Sequence, residues 1–411
     1  MLLLPTDPWP LVIATTGPGV VESQGVAWGA PIWRSRWMQI DTLLVIPFAD
    51  GIGDFINVQP LLAAVKRRFP QAAITVAASE HGKQLVNDPS IEVVTPSGLK
   101  YEPGRLAIAL RPFLPQTLLA WMAGPMFDRE LGPFDLVINF FYAWERGMNF
   151  RAHWTPQVPL ASGAVHSLDF LANEIERELD LTITEAQRKP HLVLRPAAMR
   201  WSGRYWIEHD LERERVVALV PSTNMAIKRW PLDRWVRVDA YLREMGYRTM
   251  LFCDEPEGRV QRAFAQAGST ALPVYTSLDN VAGLLSKCDL AVGVDTGLLH
   301  MAGALDVPWV GLFGPTNPEV TGPYGRTGGI SIVAPFDKPA SCGGCWKHFK
   351  YEDDTCRTLD QGSCMSYLSE DEVLDACLLM LEKTGSVAYG RLAQPSASPL
   401  LPELAGSTSG R

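Results

Sequence analysis

The sequence has no excess of positive charge. Its 37 Lys and Arg are outnumbered by 45 Asp and Glu, a formal net charge of −8 over 411 residues. Broad nucleic-acid binding needs a basic footprint, so that class of function is excluded, while a local basic patch facing an anionic acceptor is not. There is no apolar run of the roughly 18 residues that a membrane span needs. The first ten residues are apolar, but they lack a basic flank and are broken by Pro5, Pro8 and Pro10, so they do not read as a secretory signal. The expected location is the cytoplasm, where thiols stay reduced. Peripheral membrane contact stays open. With 47% hydrophobic and 20% charged residues, composition excludes disorder over most of the length. Thirteen Trp is a generous number, and the commoner use of Trp is core filling.

What is present suits two α/β domains of roughly 150–200 residues each. Residues 1–40 are Pro/Gly-rich and read as an irregular arm. Regular patterning begins with the apolar run Thr42 to Pro47, as expected of a strand covered on both faces. A Gly-rich turn, Asp50 to Asp54, follows. A helix comes next, with Leu61, Leu62, Val65 and Phe69 on one face, and then a strand at Ala73 to Ala78. Strand, helix, strand implies a parallel sheet. The pattern continues through the strand Phe134 to Asn139 and a helix at Leu168 to Leu179. It breaks at Pro190 and Pro196, which places a domain boundary near 195. It resumes with strands at Arg215 to Pro221, Thr249 to Cys253, Leu290 to Val294 and Pro308 to Phe313. The predicted organisation is an arm over 1–40, a Rossmann-like domain over 41–195 and a second over 196–385 with a Cys-rich insert at 340–366. A Ser/Pro-rich disordered tail over 386–411 completes it.

The most informative stretch is Val294-Asp295-Thr296-Gly297-Leu298-Leu299-His300. A buried strand ends at Asp295 and a small-residue helix starts at once. Thr296 and Gly297 then lie where unpaired amides and the helix dipole can hold a diphosphate without a metal ion. The lack of a Cβ at Gly297 would let an anion approach the backbone. The plain alternative is that Asp295 only caps the helix and His300 only packs on it. Ser222, Thr223 and Lys228 follow the strand ending at Pro221. The hydroxyls suit phosphate, and a lysine there would neutralise leaving-group charge, though a solvated loop lysine explains it as well. Asp54 ends the first Gly-rich turn, where a carboxylate could take a proton from a hydroxyl or simply cap the next helix. That turn lacks the third Gly of the dinucleotide fingerprint. Glu255 and Glu257 stand at the ribose-binding position after a Rossmann strand, and surface acidity accounts for either equally well.

Asp295-Thr296-Gly297-Leu298-Leu299-His300, then Ala304 to Pro308, then Leu312-Phe313-Gly314-Pro315-Thr316-Asn317-Pro318 and Gly322-Pro323-Tyr324-Gly325 resemble the nucleotide-sugar motif of glycosyltransferase family 9, the bacterial heptosyltransferases. Lys228-Arg229-Trp230-Pro231 resembles that family's Lys-x-Trp-Pro element, and Gly53-Asp54 its Gly-Asp. The resemblance spans about residues 42–335 plus the final helix. It implies a GT-B fold, two Rossmann-like domains across a cleft. It also implies metal-independent, inverting transfer of a heptose or related sugar from a nucleotide diphosphate, ADP-heptose above all. Asp54 would be the catalytic base, with Lys228, Asp295, Thr296 and Gly297 around the donor diphosphate and His300 supporting them. A glycan, a lipid-linked glycan or a protein hydroxyl are all open as acceptor. A non-catalytic nucleotide-sugar-binding protein, or another GT-B enzyme such as an epimerase, are the rival readings.

Seven Cys are present. Cys253, Cys288 and Cys377 sit among apolar residues and are expected to be buried thiols. Cys342, Cys345, Cys356 and Cys364 fall in one Gly-containing segment and have the ligand type of a small closed zinc or iron site, although only one Cys-x-x-Cys pair is present. The segment is similar to the four-Cys, iron-binding finger of the autotransporter heptosyltransferases. Reduced or disulfide-paired thiols are the alternative. No open ligand or neighbouring acid suggests a catalytic metal, and no cofactor is expected for the reaction.

Overall fold

The structure is a computed structural model. It describes residues 39–47, 51–86, 88–95, 126–140, 146–154, 165–324, 328–334, 349–350, 355–356 and 363–385. Most of the expected arm and all of the expected tail lie outside these residues, as do Cys342 and Cys345.

Two parallel sheets organise the described chain. The first holds β1 (Thr42–Ile46), β2 (Ala73–Ala77), β3 (Ile91–Val94), β4 (Met126–Asn139) and β5 (Arg146–Trp154), in the order β3-β2-β1-β4-β5. Its helices are α1 (Ile52–Arg68) and α2 (Glu80–Leu85), with α3 (Ser167–Leu179) packed on α1. After the short α4 (Glu185–Arg188) and α5 (Pro196–Glu208) comes the second set. It comprises β6 (Val216–Val220), α6 (Leu232–Glu244), β7 (Arg248–Phe252), α7 (Arg259–Gln266), β8 (Leu272–Val274) and α8 (Leu278–Leu285). It continues with β9 (Leu290–Val294), α9 (Gly297–Ala304), β10 (Trp309–Phe313), α10 (Pro318–Thr321) and β11 (Gly329–Val333). The strand pair β12 (Phe349–Lys350) and β13 (Thr355–Cys356) precedes the closing helix α11 (Glu370–Lys383). Gly246 takes the left-handed conformation (φ 88°) just after α6, as a helix-ending glycine should.

The second sheet runs β11-β10-β9-β6-β7-β8. Counted from its own first strand, this is the doubly wound order in which the connection reverses between β6 and β9. Crevices open at the carboxyl ends of strands where the order reverses, so a ligand is expected above β6 and β9. The first sheet has the same reversal between β1 and β4. The central strands are apolar throughout (Val-Val-Ala-Leu-Val in β6, Leu-Ala-Val-Gly-Val in β9) because helices cover both faces. Trp230 and Trp235 meet edge to face at 5.1 Å in the second core, a core-filling use of Trp.

One boundary differs from the expectation. α1 starts at Ile52, inside the Gly-rich turn, with Gly51 as its cap residue and no side-chain cap hydrogen bond. Asp54 is therefore in the first turn of the helix and is not its N-cap residue.

Candidate functional site

β6, β9 and β10 end side by side, and each delivers one member of a buried polar cluster. Beyond β9 comes Asp295, 6% exposed. Beyond β6, a 3-10 turn over Ala226–Lys228 places Lys228, whose Nζ donates to Asp295 Oδ2 at 2.7 Å. Beyond β10, Thr316 donates its hydroxyl to the same oxygen at 2.8 Å. His300, one turn into α9, holds Nε2 3.7 Å from Asp295 Oδ1, too long for a hydrogen bond but close enough for electrostatic attraction. His300 is buried, and its Nδ1 has no hydrogen-bond partner among the described residues. Burial alone would raise the Asp295 carboxyl, but Lys228, then His300, outweigh it and hold the group well below the usual carboxylate range. Asp295 is thus an ionised carboxylate that fixes the direction of a lysine ammonium.

Thr296 is the cap residue of α9 and makes no side-chain cap hydrogen bond. The amides of Gly297 and Leu298 are first-turn amides with no carbonyl of their own helix to meet. The role expected for the missing Cβ at Gly297 needs correction. That space is taken by Ile52 of α1, whose Cβ would stand 2.5 Å from a Cβ at Gly297, with Gly53 N at 3.2 Å. Reciprocally, the His300 ring lies on Gly53, where a Cβ would stand 2.6 Å from its Cδ2. Two glycines therefore let the amino ends of α1 and α9 abut across the lobes. Asp54 is the next residue along, and its carboxylate folds back over Gly51. The structure thus brings Asp54, Thr296, Gly297, His300, Asp295 and Lys228 into one region at the amino ends of α1 and α9, each of which carries partial positive charge.

Thr223 is buried, and its Oγ1 accepts from Met225 N at 3.3 Å, which leaves its proton to donate. Ser222 donates to Asp254 Oδ1 at 3.1 Å. Glu255 and Glu257 are exposed, and among the described residues neither has a hydrogen bond or ion pair to the Asp295 cluster. The residue that sequence reasoning passed over is Thr316. It lay inside a motif already quoted, but only the register of β10 beside β9 points its hydroxyl at Asp295. Asp254 was missed as well, since acidic residues fill that loop and only the fold selects the one that meets Ser222.

Cys288 and Cys377 are buried, and Cys253 is half-buried. Burial pushes the Cys253 thiol up to about 11 and that of Cys377 to about 12, so neither is a nucleophile at neutral pH. Cys356 and Cys364 are buried too. Among the described residues no group of three or more His, Cys, Asp or Glu is placed to hold a metal ion. With Cys342 and Cys345 outside those residues, the four-thiolate expectation rests on sequence alone. No described helix is long and apolar enough to cross a membrane.

Two doubly wound parallel sheets, with a buried polar cluster at the reversal of one and a carboxylate near the helix end of the other, give a GT-B-like fold. Residues 152–341 match the model of glycosyltransferase family 9 (heptosyltransferase), and the chain is a glycosyltransferase. Lipopolysaccharide heptosyltransferase 2 of Salmonella typhimurium (strain LT2) is 27% identical over 296 residues, 66% of this chain and 82% of the relative. The crystal structure of the glycosyl transferase family 9 from Veillonella parvula DSM 2008 is similar at a TM-score of 0.58 and 19% identity, covering 84% of this chain and 98% of that one. The dodecameric iron-containing heptosyltransferase TibC of enterotoxigenic E. coli, in complex with ADP-D-beta-D-heptose, gives a TM-score of 0.52 at 15% identity, over 84% and 77% of the two chains. At these identities the solved structures speak for the fold.

Proposed function

We propose that the chain transfers a heptose, or a closely related sugar, from ADP-heptose to a hydroxyl of a lipopolysaccharide-type glycan, in the cytoplasm and with inversion at the anomeric carbon. The observation that carries this reading is the meeting of two uncapped helix ends, one bearing Asp54 and the other flanked by the Lys228–Asp295–Thr316 cluster. The relative named as a lipopolysaccharide heptosyltransferase supports the sugar and acceptor class, and the neighbour solved with ADP-D-beta-D-heptose supports the donor.

The donor diphosphate lies at the first turn of α9, met by the amides after Thr296, the hydroxyls of Ser222 and Thr223 and the Lys228 ammonium. Asp295 binds no phosphate itself. It holds the Lys228 Nζ in place and aims it, which is the use a buried carboxylate can have beside an anion. The acceptor oxygen attacks the anomeric carbon from the side of α1 and gives its proton to Asp54. The bond from that carbon to the diphosphate oxygen breaks, and the electron pair leaves with the nucleoside diphosphate. Fixed dipoles and Lys228 receive that charge.

Asp54→Asn tests the reading. The variant is expected to bind ADP within about twofold of the parent and to lose about 10²–10⁴-fold in transfer, the usual share of a general base. ADP binding by calorimetry and product formation by mass spectrometry give the two readouts. Transfer at the parental rate would remove Asp54 from the chemistry. Donor binding by a parent that transfers to no acceptor would favour a non-catalytic binding protein.

A further inference from the structure

The lysine turn after β6 and the Gly314–Thr316 turn after β10 meet at Asp295. The lysine turn is a single 3-10 turn of three residues. Both lean on the same neighbour. Cys356, in β13, packs in a small buried cluster with Ile227, the residue before Lys228, and Met225 lies beside them. The 3-10 turn over Cys364–Tyr367 approaches the other loop. A Cβ at Gly314 would stand 2.8 Å from Cys364 Sγ and 2.6 Å from Met365 Sδ, closer than any side chain permits. Next along, the Leu368 carbonyl accepts from the Trp230 indole N–H at 3.1 Å in the interior, and Trp230 is two residues beyond Lys228. Arg234 donates to the same carbonyl.

We infer that Cys356 and residues 364–368 form a brace behind the donor-phosphate pocket, and that Cys356 and Cys364 are positioning residues for Lys228 and Thr316. The inference rests on the donor-site reading above. The thiols touch no reacting atom. Cys356 sets the turn that aims Lys228, and Cys364 with Met365 sets the backbone that aims the Thr316 hydroxyl, so Asp295 receives both donors on one oxygen. The brace acts by packing, and it works whether or not these sulfurs also have ligands.

The test uses the full-length chain with Cys356→Ala and Cys364→Ala, the near-isosteric Cys356→Ser and Cys364→Ser, and Cys288→Ala as a buried thiol outside the brace. ADP affinity by calorimetry is read beside donor KM, acceptor KM and kcat. The alanine variants are expected to weaken ADP about tenfold, to raise donor KM alike and to lower kcat, because Lys228 also receives the leaving-group charge, with acceptor KM within about twofold, since displacement of a binding group by a fraction of an ångström costs on that scale. The serine variants and Cys288→Ala are expected to match the parent. Unchanged ADP affinity in the alanine variants would overturn the brace, as would serine variants as weak as alanine. Should the alanine variants not fold, Gly314→Ala, which drives a methyl into both sulfurs, is expected to produce the same selective loss for ADP, and parental affinity there overturns the brace. A parent that binds no nucleoside diphosphate sinks the donor reading and the brace with it. A parent that binds ADP, with variants that bind it equally, sinks the brace alone.

Discussion

Asp295 shows what a single residue contributes. Taking a carboxylate out of water is costly, and the cost is met here by a lysine ammonium, a threonine hydroxyl and a nearby imidazole. Removing one partner leaves an uncompensated buried charge. Lys228→Met is expected to lower unfolding stability by about 3–5 kcal/mol. Lys228→Met with Asp295→Asn is expected to recover most of that loss, because no unpaired charge stays inside. Urea melts of the parent, the two single variants and the double variant check this, and simple additivity would contradict it. Asp295 and Lys228 stood out in the sequence through their motifs. Their pairing across 67 residues did not, because it depends on the neighbouring of β6 and β9.

At the scale of elements, the decisive contact is the crossing of α1 and α9. Glycine is a poor helix former, so Gly51 and Gly53 suggest a turn that ends at Asp54. The helix nevertheless starts at Ile52, and Gly53 is where the His300 ring lies, so that a larger residue there would push α9 away. Gly297→Ala is expected to force a Cβ onto Ile52, cost about 1–3 kcal/mol as other overpacked sites do, and cut transfer sharply by parting the helix ends. Adding Ile52→Gly, which removes the Cβ that the new methyl would meet at 2.5 Å, is expected to restore part of both. Thermal melts and single-turnover transfer, run side by side, give the outcome. Identical behaviour of Gly297→Ala and parent would show that the contact does not hold the lobes.

At the scale of the whole molecule, a second inter-lobe contact sits at the start of α3. His166 accepts from Leu168 N at Nδ1 (3.2 Å) and donates from Nε2 to Gly322 O (3.0 Å). That pair of partners assigns the neutral ring with its proton on Nε2. Tyr324 stacks edge-on against His166 and donates to Asp169, which also pairs with Arg188. Burial pushes the His166 pKa down, the Gly322 carbonyl partly opposes this, His300 adds to it and Asp169 opposes it. The folded value lies below the unfolded value of about 6.5, so the unfolded chain binds more protons in that window and stability rises with pH across it. The stabilisation is complete above about pH 6.5 and is lost as pH falls below it. Melting temperatures measured between about pH 5 and 7.5 are expected to fall on the acid side, and His166→Gln is expected to flatten that slope. An unchanged slope in the variant would assign the acid sensitivity elsewhere.

The alternation of strands and helices and the paired Rossmann-like sheets were determined by the sequence alone. Those features depend on apolar period and on residue types at strand ends, which are local properties. The tertiary structure decided the rest: which donors share one oxygen of Asp295, that Gly297 makes room for Ile52, that Asp254 meets Ser222, and that Cys356 packs on Ile227 and Cys364 on Gly314. Each of these depends on strand order and register, which bring together residues far apart in the chain. No local pattern of residues encodes which distant side chain will arrive opposite.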